Sequence, residues 1–110
     1  MTLDSLAARE RNIALLERYG ALLTDNQRAA LDLHLRSDWS LAEIAERESV
    51  SRAAVHDVVR RALQTLEDAE RRLGLFAEEE RRRKAKAALG AELAEVRRRL
   101  DRLEARIGDV

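Results

Sequence analysis

Cysteine and proline are both missing from the 110-residue chain, and aromatic residues make up only 3% of it. Without cysteine there is no disulfide, no thiolate nucleophile and no cysteine-based zinc site, which fits a reducing compartment. Without proline the strongest helix breaker is gone. Formal net charge is zero, so the whole chain lacks the positive field of an avid nucleic-acid binder, and any such contact must rest on a local patch. No segment approaches 18 uncharged residues, and "MTLDSLAARE" reaches Asp4 without an apolar core of signal-peptide length. No membrane insertion and a cytoplasmic location are therefore expected.

What the chain does have is Ala, Leu, Arg and Glu, side chains that lose little rotamer freedom in a helix. The length suits one small core plus an appendage, and the expected class is all-α. Leu6, Ile13, Leu16 and Tyr19 recur at roughly helical spacing, and Gly20 offers a left-handed stop. Thr24 with Gln27, and Ser40 with Glu43, have capping-box spacing. The first of these boxes precedes Leu31 and Leu35, the second Leu41, Ile44 and Ala45. Ser51 caps a further helix whose Val55, Val59, Ala62, Leu66, Ala69 and Leu73 keep steps of three and four up to Gly74.

Beyond Gly74 the composition changes. "AEEERRRKAK" places Glu78 and Arg82, Glu79 and Arg83, and Glu80 and Lys84 four apart, each pair contributing about 0.2–0.5 kcal/mol to an exposed helix. Leu89, Leu93, Val96, Leu100, Leu103, Ile107 and Val110 then recur at steps of four and three, a coiled-coil seam of roughly three heptads. A parallel partner would bring Glu92 near Arg97 and Arg99 near Glu104, both of opposite sign. A homodimer through Leu89, Leu93, Val96, Leu100, Leu103 and Ile107 is expected, the alternative being that the stripe packs on the protein's own domain. Gly90 costs this helix about 1 kcal/mol and marks a candidate bend. The expected division is a domain over 1–75 and a charged helix with a coiled-coil tail over 76–110.

"SLAEIAERESVSRAAVHDVVRRAL", residues 40–63, has the layout of a helix-turn-helix. Ala45 is the small residue where two helices cross. Ile44, Val50, Val55 and Val58 take the inward positions, and Arg52, Ala53, His56, Asp57 and Arg60 face outward. Ser49 stands where the turn often uses glycine, and Glu48 where an apolar residue is usual.

"YGALLTDNQ", "SLAEIAE", "VSRAAVHD" and "LEDAERRLGL" resemble the YlxM family, small bacterial proteins associated with the signal recognition particle pathway. The resemblance covers residues 15–75 and leaves the tail from about Phe76 outside the common pattern. It implies a helical fold similar to the promoter-reading C-terminal domain of sigma factors (sigma region 4-like), extended here by the coiled-coil tail. It also implies an accessory or regulatory role in that pathway, which leaves the mechanism open.

Candidate nucleic-acid-binding residues are Ser51, Arg52, His56, Arg60 and Arg61, the arginines acting on phosphates. Asp57 lies within one turn of Arg60 and Arg61, so intrahelical pairing competes with that role. Ala53 reaches at most a thymine methyl, and Asp57 brings the wrong charge to phosphates. The arginine runs at 81–83 and 97–99 are interleaved with or preceded by acids and read as solvated helix faces. Trp39 is expected to plug the small core. His34 and His56 are on different helices, and no phosphate loop, nucleophile with a base or metal-spaced set accompanies them, so no catalysis, metal or cofactor is expected. Three readings follow: an accessory protein of the signal recognition particle pathway that contacts DNA, RNA or a protein component, a helical interaction scaffold in which the helix-turn-helix is only structural, and a sequence-specific transcription regulator.

Overall fold

Three helix starts are built by hydroxyl side chains that satisfy backbone donors otherwise left free. At the first, the Gln27 N–H donates to the Thr24 hydroxyl (3.1 Å) and the Thr24 N–H donates to the Gln27 side chain (3.1 Å). Ser40 and Glu43 repeat this reciprocal box at 3.1 and 3.0 Å. The bonds from the Ser40 backbone and hydroxyl hold the Glu43 carboxyl below the usual carboxylate range. Ser51 accepts from the Ala54 N–H at 3.0 Å. These caps follow the spacing in the sequence because each acts within three residues.

The computed structural model describes residues 3–108, with side chains from Ser5 onward. Among them are α1 (Leu3–Tyr19), a 3-10 turn (Gly20–Leu22), α2 (Asp25–Leu35), α3 (Leu41–Glu48), α4 (Arg52–Leu73) and α5 (Leu75–Gly108), and no strand. One compact unit extends through Phe76 and a second begins at Ala77. The fold is all-α, a small helix-turn-helix domain carrying a long C-terminal helix.

In the first unit α4 packs against α1, α2 and α3. Leu15, Leu31, Ile44 and Leu66 are its largest fully buried side chains, with Leu16, Tyr19, Leu35, Ala45, Val55, Val59, Ala62 and Ala69 around them. Several expected core positions are different. Leu6 and Leu73 are exposed, while Leu15, absent from the apolar series read in α1, is fully buried. Val50 is 49% exposed and Val58 is only half-buried. Both line an open cleft of about 260 Å³ between α2, α3 and α4, where small Ala29, Ala30 and Ala54 leave the helices incompletely filled. Trp39 is half-buried against the core, with the Arg47 guanidinium 5.4 Å above its ring.

Gly20 is not a left-handed stop. It is buried in a 3-10 turn, and its carbonyl accepts two bonds from the Arg28 guanidinium at 3.1 and 2.9 Å. Among the described residues the left-handed positions are Asp38, Ser49 and Gly74. Gly74 ends α4 as expected, its N–H donating to the Glu70 carbonyl at 2.8 Å.

The turn between α3 and α4 closes around Ser49, at φ 55° and ψ 43°. The Val50 N–H donates to the Ala45 carbonyl (3.1 Å) and the Ser49 N–H to the Glu46 carbonyl (3.3 Å), the paired bonds of a Schellman closure. A side chain at a left-handed position costs about 1–2 kcal/mol, partly offset by its smaller unfolded-state entropy. Ser49→Gly is therefore expected to raise stability by about 0.5–1 kcal/mol. The midpoint of a urea transition should rise at constant slope, and a fall would show the serine side chain to be needed there.

A polar cluster joins α1, α4 and the start of α5. The Tyr19 hydroxyl donates to the Glu70 carboxyl at 2.7 Å, and Glu70 also accepts from the Phe76 N–H at 3.0 Å. The Leu75 N–H donates to the Tyr19 oxygen at 3.1 Å. Two free donors of the first turn of α5 are thereby satisfied by side chains of other helices. Arg11 and Arg18 each lie 5.8 Å from the Phe76 ring centre, and Arg11 pairs with Glu67.

The second unit is helix alone. Helix α5 continues without interruption through Gly90, so that residue does not break it. Arg82 pairs with Glu78 at 2.8 Å and Arg83 with Glu80 at 2.6 Å. Leu89, Leu93, Val96, Leu100, Leu103 and Ile107 are 50–74% exposed. Val110, the last residue of the expected seam, lies outside the described residues. No described helix is long and apolar enough to cross a membrane.

Candidate nucleic-acid interface

At about 100° per residue, the buried Val55, Val59, Ala62, Leu66 and Ala69 define the inward side of α4. Asp57 lies near the middle of the opposite side. Arg60 and Arg61 flank it and both close onto it: Arg60 reaches one carboxylate oxygen at 2.8 Å, and Arg61 Nε the other at 2.9 Å. The hydrogen bond from Arg60, joined by the charge of Arg61, holds the Asp57 carboxyl below its usual range. Intrahelical pairing of these arginines is thus present. Both guanidinium groups are nevertheless solvent-exposed, at 60% and 67%, so the pairs exchange readily for another anion.

Arg52 and His56 are brought together at the start of α4, where they line a shallow depression with Leu41 and Ala53. Leu41 is a contributor from α3 that helical periodicity alone assigns to the core. Among the described residues Arg52 has no ion-pair partner, and both Arg52 and His56 are exposed. The Ser51 hydroxyl caps the helix as an acceptor, which leaves its own proton available to an incoming oxygen. Arg60 and Arg61 stand about 12–14 Å along the axis from Arg52 and about 6–8 Å from His56. The five candidates therefore run along α4 from Ser51 and Arg52 at the helix tip, through His56 one turn on, to Arg60 and Arg61 around Asp57.

The electrostatics are local. Residues 51–61 carry three arginines against one aspartate. Helix α3 carries Glu43, Glu46 and Glu48 against Arg47, which stacks on Trp39 and lies 3.9 Å from Glu48. Within the helix-turn-helix itself, the positive character therefore lies on α4 rather than on α3. Ala53 offers only a methyl group, and Asp57 would have to release two arginines before it accepted from a cytosine amine. The arrangement suits phosphate contact better than base reading. On α5, Arg98 and Arg99 both pair with Glu95, at 2.5 and 3.4 Å.

Two helices crossed at a buried Ala45, closed by a left-handed turn and followed by a longer helix with an exposed N-terminal face, define a helix-turn-helix protein. Comparison with known proteins agrees. The chain belongs to the UPF0122 family, helix-turn-helix proteins described as YlxM / p13 like, whose pattern matches residues 6–105. That match takes in most of α5, so the tail beyond Phe76 is not outside the family pattern, as the resemblance over residues 15–75 had implied. Among relatives, a UPF0122 protein of Symbiobacterium thermophilum is 44% identical over 73 residues, covering 66% of this chain and 68% of its own length. One from Lacticaseibacillus casei is 52% identical over 64 residues, covering 58% of this chain and 57% of its own. One from Streptococcus gordonii is 48% identical over 65 residues, covering 59% of each. The chain thus spans a little under three fifths to about two thirds of these relatives' lengths. The family is described by its helix-turn-helix.

Proposed function

We propose that the protein is an accessory or regulatory protein of the signal recognition particle pathway in the cytoplasm, and that it contacts nucleic acid through the N-terminal half of α4. The observation that carries the contact is the pairing of a free, exposed Arg52 with His56 at the tip of a helix-turn-helix second helix. The pathway assignment rests on the YlxM-type motifs. Contact is mainly to phosphates, through Ser51, Arg52, Arg60 and Arg61, with His56 as a donor to phosphate or base.

Binding of this kind is weak and steeply salt-dependent, since each neutralised phosphate contributes about −0.9 to the slope of log affinity against log salt. Arg52→Ala with Arg60→Ala should flatten that slope by about 1–2 on a labelled duplex, the larger value if Arg60 leaves Asp57 for a phosphate on binding. Purification of the native protein from its own cells should bring the particle RNA, its protein or chromosomal DNA with it.

A second reading is favoured by Asp57, which occupies the middle of the outward face and engages two of its three arginines. In that reading the helix-turn-helix is a stable core and the helices carry partner contacts. It predicts that duplex affinity and salt slope are indifferent to both arginine substitutions. A sequence-specific regulator would instead require His56, Asp57 and Arg60 to read bases, and a marked preference in a binding-site selection would reveal it.

A further inference from the structure

We infer that α5 pairs with α5 of a second copy of this chain, parallel and in register, as a two-stranded coiled coil. The first observation is the stripe itself. Leu89, Leu93, Val96, Leu100, Leu103 and Ile107 share one side of a continuous helix, and every one is at least half exposed. Leu93, Leu100 and Ile107 form one heptad set, and Leu89, Val96 and Leu103 the other. The positions beside them are Gly90, Glu92, Arg97, Arg99, Glu104 and Arg106, all charged except Gly90. An apolar stripe only two positions wide with charged margins covers one neighbouring helix, since a third strand would bury the margins.

The margins also choose the occupant and its direction. In a parallel, in-register pair, Glu92 meets Arg97 of the second copy and Arg99 meets Glu104, each contact occurring twice by symmetry. Reversing one strand so that the six apolar residues still overlap sets Leu89 against Ile107, Leu93 against Leu103 and Val96 against Leu100. That arrangement brings Arg97 to Arg97 and Arg99 to Arg99, like charge against like, and leaves Glu92 with Arg106 as its favourable contact. Sliding the reversed strand by one heptad relieves some of the repulsion, but places Lys86 and Arg82 against Leu103 and Ile107. Only the parallel register matches all six apolar residues without opposing like charges.

The ion pairs within α5 are consistent with this choice. Glu95, on the side away from the stripe, engages Arg98, Arg99 and Arg102. Among the described residues Glu92, Arg97 and Glu104 have no ion-pair partner within the chain, so three of the four charges that meet across the parallel register are available to a second copy. The pairing is independent of whether α4 contacts nucleic acid.

The full chain should sediment at twice its 12.5 kDa mass at micromolar concentrations and above. Leu93→Asp with Leu100→Asp should return it to the monomer mass with the helical signal of the first unit retained. Arg97→Glu should weaken the dimer by opposing Glu92, and adding Glu92→Arg should restore it. An antiparallel dimer would be indifferent to the first change and weakened by the second, which sets a new positive charge against Arg106. Because the chain has no cysteine, Ile107→Cys provides a second readout. Oxidation should give a quantitative disulfide-linked dimer, whereas antiparallel strands hold the two sites about 27 Å apart, far beyond bridging distance. A monomer at all concentrations, a trimer, a dimer that survives both aspartates, or failure of the charge reversal to rescue would overturn the inference.

Discussion

Glu70→Ala is expected to destabilise the first unit by about 2–4 kcal/mol, because it leaves a buried donor and a part-buried one without their acceptor. Glu70 is 9% exposed, and its carboxyl accepts from both the Tyr19 hydroxyl and the Phe76 N–H. Glu70→Gln keeps an oxygen in place and should cost about 1 kcal/mol. The difference is measurable as two urea midpoints with similar slopes. Equal effects would show that packing at this site, rather than hydrogen bonding, stabilises the junction.

The same cluster has a signature in alkali. Burial, followed by the bond to Glu70, raises the Tyr19 phenol above its ordinary value. The unfolded chain releases this proton near pH 10 and the folded chain only at higher pH. The stability tied to Tyr19 is therefore complete below about pH 10 and is lost as the pH rises from there toward the folded value. Tyr19→Phe should remove this residue's share of the alkaline slope. A slope unchanged by that substitution would contradict the placement of the phenol in the core.

Ile44→Ala should cost about 2–5 kcal/mol, whereas Val50→Ala should cost less than about 1 kcal/mol. Ile44 is 1% exposed beneath the crossing of α3 and α4, and its truncation leaves a void that closed neighbours cannot fill. Val50 is 49% exposed at the mouth of a cleft, so removal of two methyl groups changes little buried area. Thermal unfolding of the two variants beside the parent separates them. Comparable losses would mean that the cleft is closed and that Val50 belongs to the core.

The contrast between Ile44 and Val50 also marks what the sequence could reveal. Capping boxes, the Ser51 cap and the Gly74 stop were legible because their partners lie within four residues. Ile44, Val55 and Ala45 were legible because helical phase alone turns them inward. Val50 was not, since it lies in the turn, where its direction follows from the left-handed Ser49 and from the small alanines across the cleft. The Tyr19–Glu70 contact spans 51 residues, and an acid in a helix otherwise rich in charge gives no sign that it faces inward. At the candidate interface, the competition of Asp57 for Arg60 and Arg61 was visible as spacing. That Arg52 stands free and shares a depression with Leu41 and His56 required the tertiary crossing. The tail is largely charge with a heptad beneath it, a composition too common among helices to show kinship by inspection.

Asp57→Asn tests phosphate contact by the face of α4 most directly, because it should strengthen binding where most substitutions only weaken it. Removing that carboxylate takes a negative charge from the middle of the face and frees two guanidinium groups now held at 2.8 and 2.9 Å. Duplex affinity measured across a salt series should increase at low salt, with a slope steeper by about 1–2. Unchanged or weaker binding at every salt concentration would contradict it.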